Sequence, residues 1–185
     1  MVRLSSRAET RRDCMAVTSI YIQIQATAFD PGAEQEALRA GRPGIGALVS
    51  FVGLMRDVND DQAIKSMTLE HYPGMTERLL AEIAGQAAAR WGLEGIRIIH
   101  RIGRLLPQEP IVLVAVAGRH RGDAFRACEF LIDYLKTRAP FWKKEETGRG
   151  ERWVQARDSD DAAAARWQGD DDAIEIGTDQ SETPE

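Results

Sequence analysis

The chain has 185 residues, with 24 Lys and Arg against 29 Asp and Glu, a formal net charge of −5 and 43% hydrophobic content. That length suits one domain with tails, large enough to bury a core without a disulfide or metal staple, and the apolar content excludes wholesale disorder. Net acidity argues against a general nucleic-acid binder. The longest uninterrupted apolar run, Ile111 to Ala117, is far short of the ~20 residues a membrane span needs.

Residues 1–17 read as a disordered leader or a mis-assigned start. Residues 1–14 are Arg-rich, net +2, and lack the apolar stretch of a secretory signal. Met15 is read as the start because β-patterned sequence begins just after it. Ser19 to Thr27 alternates Ile20, Ile22 and Ile24 with polar residues, a half-buried strand. Asp30-Pro31 opens a helix to about Ala40, Asp capping and Pro tolerated in the first turn. After a Gly41–Gly46 loop, Ala47 to Met55 reads as a strand apolar enough to be central. Arg56 to Gln62 is a polar loop, and Ala63 to Tyr72 returns as a strand.

Pro73-Gly74 breaks that strand, and a helix is expected from Met75 to Trp91. Its apolar residues Met75, Leu79, Ile83, Ala87 and Trp91 recur every four, with Gly92 as the C-terminal cap. Gly95 to Ile102 and Ile111 to Gly118 are further strands, the second buried on both faces. Asp123 is the expected N-cap of a helix to Thr137, with Phe125, Cys128, Leu131, Ile132 and Leu135 inward. Pro140 forces its end. Phe141 to Glu145 and Arg152 to Ala156 read as a hairpin, and Asp158 to Trp167 as a last short helix. The order β-α-β-β-α-β-β-α-β-β-α indicates an α+β domain over 18–167 with a largely antiparallel or mixed sheet. Residues 168–185 read as a disordered tail; from 169 on they carry net −7, while 15–168 hold 20 basic and 20 acidic residues.

The chain has no P-loop pattern, and Gly44-Ile45-Gly46 precedes a strand instead of following one, so no dinucleotide fingerprint is present. His71, His100 and His120 are too scattered to give a metal signature. Cys14 and Cys128 form no CxxC motif; Cys128 lies on an apolar helix face and reads as core. A reducing cytoplasm fits that usage.

The densest constellation is Tyr134 to Glu145, with Lys136 closing a helix, Pro140 turning the chain and Lys143 opening a strand. Two cations brought to one pocket beside Phe141 and Trp142 would lower one lysine's pKa toward a nucleophile or base. If both stay charged they bind an anion. A lysine at a helix C-terminus is also favoured by the macrodipole alone. Gly118-Arg119-His120-Arg121-Gly122, between a strand and a helix start, makes either an anion site or a charged surface loop. With Arg56, these residues suggest a substrate carrying phosphate or carboxylate.

Leu69-Glu-His-Tyr-Pro-Gly-Met-Thr76, Ile99-His-Arg-Ile-Gly103 and Asp133-Tyr-Leu-Lys-Thr-Arg-Ala-Pro-Phe-Trp-Lys143 resemble the catalytic (large) subunit of molybdopterin synthase. Phe51 to Arg56 and Arg152 to Arg157 match in order, so the resemblance covers about residues 18–167. It implies an α/β hammerhead-type domain with an additional antiparallel β-sheet. It implies a sulfurtransferase that converts cyclic pyranopterin monophosphate to molybdopterin, with no bound cofactor and no metal. The sulfur would come from the thiocarboxylated C-terminal Gly-Gly of a small ubiquitin-like partner, so the chain would need no reactive thiol. A dimer of large subunits would form the core of a heterotetramer, with no nucleic acid or membrane involved.

Carried over by motif, Lys136 is the expected catalytic lysine and Lys143 its helper. Arg56, His120 and Arg121 bind substrate, with Leu54, Met55, Lys144 and Glu145 lining the site. Arg157 reaches a neighbouring protomer. The family often has a basic residue where Leu54 or Met55 stands, so those two carry no expected side-chain contact. The alternative reading is a noncatalytic module that binds an anionic protein tail or phosphate ligand.

Overall fold

The computed structural model describes residues 18–59, 62–154 and 158–167. Its element order is β1 (Ser19–Gln25), α1 (Pro31–Arg39), β2 (Ala47–Leu54), β3 (Val58–Asn59), β4 (Gln62–His71), α2 (Met75–Trp91), β5 (Gly95–Arg101), β6 (Gly103–Leu105), β7 (Pro110–Gly118), α3 (Arg121–Thr137), β8 (Phe141–Thr147), β9 (Gly150–Val154) and α4 (Asp158–Ala165). The α+β class and the additional antiparallel sheet are as expected. Two short strands, β3 and β6, were not. Two- and three-residue strands carry too few positions for a period-2 pattern to register.

Four strands form one sheet in the order β1-β5-β7-β2, with β1 and β5 parallel and the other pairs antiparallel. The second sheet is antiparallel, in the order β3-β4-β8-β9, with β6 also paired to β4. The first sheet is mixed: the parallel strands β1 and β5 are joined through α1, β2–β4 and α2, whereas antiparallel β5 and β7 are joined by the short excursion through β6.

β7 fills the sheet centre, with Leu113 to Ala117 fully buried. β2, expected to be central, is instead an edge strand. It is apolar on both faces because α1 covers one and α3 the other: Leu48 and Val52 pack with Leu38, Leu113 and Ala115, while Ala47 and Val49 join the core beneath α2 and α3.

Asp30 caps α1, accepting from the Gly32 and Ala33 N–H groups at 2.7 and 3.2 Å. α2 has the expected bounds, and Gly92 ends it in the left-handed conformation. Its buried face is displaced, though. Thr76, Leu80, Ile83, Ala84 and Ala87 point inward, while Met75 is 48% exposed. A strict four-residue repeat overshoots each helical turn by about 40°, so the N-terminal end of the expected row rotates off the core, while Trp91 at the other end stays packed on it.

α3 begins earlier than expected. His120 occupies the N-cap position and Asp123 sits inside the first turn. The inward row is Ala124, Ala127, Cys128, Leu131, Tyr134 and Leu135; Phe125 is 63% exposed, against expectation. It lies about 100° round the helix from Ala124, which fills the place against the sheet.

Candidate active site

A Cβ added to Gly118 would sit 3.8 Å from Ala124 Cβ, and Cys128 Sγ lies 3.8 Å from the Val114 carbonyl oxygen. α3 therefore retraces β7 in the opposite direction. Its start lies by Gly118 and its end by Pro110. Pro110 pairs with Leu54, so the chain leaving β2 through Met55 and Arg56 emerges at the end of the sheet where α3 terminates.

This geometry divides the expected site residues into two groups. Leu54, Met55, Arg56, Lys136 and Lys143 belong to the Pro110 end. His120 and Arg121 belong to the Gly118 end. Fifteen residues of helix separate Arg121 from Lys136, about 22 Å. Within one chain the fold therefore places these basic residues at opposite ends of one helix.

At the Pro110 end, the last turn of α3 carries Lys136, where the macrodipole favours a cation. Thr137 Oγ1 donates to the Asp133 carbonyl at 2.9 Å, and the Arg138 N–H to the Tyr134 carbonyl at 2.8 Å. The Phe141 N–H then donates to the Ala139 carbonyl at 2.8 Å, closing a tight turn around Pro140. Lys143 follows two residues later on β8, so helix end and strand start deliver both lysines to this end of the fold.

The side chains of β8 alternate. Phe141, Lys143 and Glu145 share the face of Leu69 and Met67 on β4. Lys144 faces the other way, paired with Glu151 at 3.0 Å and 5.8 Å from the Trp153 ring centroid. Glu145 is buried and committed: it accepts from Asn59 Nδ2 at 2.9 Å and from Arg152 Nε at 3.0 Å. It ties β3, β8 and β9 together rather than offering a carboxylate to a ligand. Met55 is 4% exposed, and its N–H and carbonyl bond to Glu109 and Gln108. Leu54 is 54% exposed, an apolar rim beside Arg56. Arg157 lies outside the described residues.

At the Gly118 end, Gly46, Arg119, His120, Arg121 and Gly122 line an open depression at the α3 N-terminus. Basic residues here oppose the helix dipole, which a purely structural sequence would avoid. An anion bound to the exposed helix N–H groups and these side chains would reverse that penalty. Arg119 is braced by Glu94 at 2.8 Å. Gly46 is required for the approach, since a Cβ there would meet the Arg119 carbonyl oxygen at 2.3 Å.

Cys128 is a buried free thiol, and burial pushes its pKa up to about 11, as suits core packing. His71 Nε2 stands 3.4 Å from Glu77 Oε1. His100, which motif reasoning left without a role, is buried and stacked on Phe141. A histidine in period-2 phase with Ile96 and Ile98 on the inward face of β5 was the available signal. Among the described residues no group of three or more His, Cys, Asp or Glu could hold a metal, and no helix is long and apolar enough to cross a membrane.

The family described as MoaE protein matches residues 24–138. The molybdopterin synthase catalytic subunit of Ralstonia nicotianae is 59% identical over 146 residues, 79% of this chain and 83% of that protein. That of Pseudomonas aeruginosa is 59% identical over 147 residues, covering 80% of this chain and 98% of the relative. Among solved structures, the molybdopterin biosynthesis MoaE protein from Burkholderia ambifaria superposes with a TM-score of 0.70 at 57% identity, over 80% of this chain and 98% of that one.

Proposed function

The chain belongs to the MoaE protein family, and we propose that it acts as the catalytic subunit of a molybdopterin synthase. It converts cyclic pyranopterin monophosphate to molybdopterin with sulfur delivered as a C-terminal thiocarboxylate by a small partner subunit. What supports this at residue level is that α3 ends at Thr137 and β8 begins at Phe141, so Lys136 and Lys143 flank one turn at the end of the fold where the chain to Arg56 leaves β2.

Each group has a chemical task. The thiocarboxylate sulfur forms a C–S bond to a substrate carbon as the oxygen on that carbon departs with a proton, and water then cleaves the resulting thioester through a tetrahedral intermediate whose oxygen carries negative charge, returning the partner tail as a carboxylate. Lysine ammonium groups stabilise that charge and move protons. Arg56 steers the phosphate and the anionic partner tail, and the exposed Leu54 gives the tail an apolar rim. A buried, protonated Cys128 fits a reaction whose sulfur comes from outside the chain. We place the reaction in the cytoplasm, where free thiols persist.

The separation of about 22 Å along α3 bears on assembly. One small substrate cannot touch Lys136 and Arg121 of the same protomer. In the dimer of large subunits that the family resemblance implies, the α3 N-terminus of one protomer is available to hold an anion in the other's site.

Reconstitution with thiocarboxylated small subunit and cyclic pyranopterin monophosphate tests this reading. The expected result is dithiolene product with the native chain and its collapse in Lys136→Ala. Full activity in Lys136→Ala would refute that assignment. No product from the native chain with a competent partner would favour the noncatalytic binding module.

A further inference from the structure

Two histidines with no part in the chemistry above pack against one aromatic ring. His100 of β5 is 3% exposed and faces the core beneath α2 and α3, on the same side as Ile96 and Ile98. Its ring lies on Phe141 with centroids 3.7 Å apart and planes 13° apart. His71, directly cross-strand from Phe141, stands on it with centroids 6.3 Å apart at 29°. Phe141 is the first residue of β8 and Lys143 the third, so the two share a face.

The His100 ring is held in one orientation. Its Nδ1 lies 2.8 Å from the Arg101 carbonyl oxygen, and a neutral imidazole there donates from Nδ1. Burial, the largest cause, brings its pKa down to about 4; the Arg101 carbonyl pulls the other way, and the charges of Lys143 and His71 add to the lowering. Lys143 is thus an electrostatic neighbour of the imidazole as well as a strand neighbour of the ring beneath it. His71 is tied to Glu77, whose carboxylate also accepts the Gly74 N–H at 2.6 Å, linking the stack to the start of α2.

A buried aliphatic side chain would fill the place of His100 at lower desolvation cost, as Ile96 and Ile98 do on the same face. What the imidazole adds is an anchored ring plane. Phenylalanine could stack on Phe141 but has no N–H to fix its rotation.

We propose that His100 is a positioning residue for Lys143: its anchored ring packs on Phe141, fixes the start of β8, and so holds the Lys143 ammonium at the end of the sheet shared with Arg56 and Lys136. The inference deepens the synthase reading and rests on it for its kinetic consequence. Its geometric consequence is independent of turnover.

The test compares His100→Ala, His100→Phe and, as a control from the same strand face, Ile98→Ala. The Lys143 amine is acetylated at fixed pH with an N-hydroxysuccinimide ester, and its rate is read by peptide mass spectrometry against Lys65 and Lys144. His100→Ala is expected to change the relative Lys143 rate at least threefold, and Ile98→Ala by less than 1.5-fold despite its own loss of stability. In the reconstituted reaction, His100→Ala lowers kcat at least tenfold with KM within threefold. His100→Phe, which keeps a stack and loses the Nδ1 anchor, moves both readouts the same way by a smaller factor, and stands in if the alanine variant does not fold. A Lys143 rate and kcat in the His100 variants no different from Ile98→Ala would overturn the proposal. A native chain that makes no product would sink the synthase reading, while the labelling still decides the positioning.

Discussion

Trp167 donates its indole N–H to Asp133 Oδ2 across 2.8 Å, and Arg166 donates to the same oxygen at 2.7 Å. The Trp167 ring stands edge-on to Trp91 and Phe130, at 5.9 and 5.6 Å between centroids, with the Arg90 guanidinium 5.8 Å from it. The chain just beyond α4 is thereby fastened to α3 one turn before Lys136. Trp167→Ala removes a buried aromatic and leaves Asp133 without its buried donor. The expected loss of folding stability is about 3–5 kcal/mol, read from urea denaturation. Trp167→Phe keeps most of the packing and is expected to cost less. A loss under 1 kcal/mol in Trp167→Ala would show that the clasp does not fasten α3.

Lys136 and Lys143 should separate cleanly from Lys144. If the first two stabilise charge and move protons, alanine at either lowers kcat by roughly 10²–10⁴-fold. Lys144 lies on the opposite face of β8 in an ion pair with Glu151, so Lys144→Ala is expected to stay within threefold. Steady-state dithiolene formation checks all three. A Lys144 effect as large as that of Lys143 would mean that β8 presents its other face to the substrate.

Cys128 gives the complementary expectation. With its pKa at about 11, almost none of the thiol is ionised at neutral pH, and burial keeps reagents away. Cys128→Ala should retain turnover within threefold, and iodoacetamide should fail to alkylate Cys128 in the folded chain. Rapid alkylation accompanied by loss of activity would overturn its reading as core.

Most element bounds were legible because their signals are local. Asp30-Pro31 marks a helix start, Gly92 a helix end, and Pro140 a forced turn. The errors arose where packing decides. β2 is apolar on both faces, and only the placement of β7 between it and β5 shows that it is an edge. The exposure of Phe125 depends on which row of α3 meets the sheet. The candidate site was half legible. The Lys136–Pro140–Lys143 unit is contiguous in sequence, and its turn forces the juxtaposition. The division between that unit and His120–Arg121 depends on the length of α3, which a motif list does not register. His100 was overlooked because its partner, Phe141, is 41 residues away and on the other sheet.

Gly46 offers a test of the distant group alone. Its N–H donates to the Gly118 carbonyl at 3.0 Å, and a Cβ would strike the Arg119 carbonyl oxygen at 2.3 Å. Gly46→Ala must push the loop that carries His120 and Arg121 away from β2. Because Lys136 and Lys143 lie at the other end of the fold, the expected signature is a raised KM for the pterin phosphate, at least fivefold, with kcat changed less. Equal losses in both would show that the loop acts on the chemical step rather than on binding.

His100 should also leave a mark on stability against pH. Its folded pKa of about 4 lies below the ~6.5 of an unfolded histidine, so between those values the unfolded chain holds the extra proton. The stabilisation is complete above the unfolded pKa and is lost as pH falls toward the folded one. Between pH 7.5 and 5.0 the loss from this one group is about 2 kcal/mol. Glu77, Glu109 and Glu146 also have lowered pKa values, so their contributions fade as pH falls through the ordinary carboxylate range and below, leaving the window above pH 5 mainly to histidine. Urea midpoints measured at pH 7.5, 6.5, 5.5 and 5.0 should fall for the native chain and fall distinctly less for His100→Phe, which has no proton to gain. Parallel curves for the two proteins would show that His100 does not remain neutral in the fold, and its anchored ring would lose its electrostatic basis.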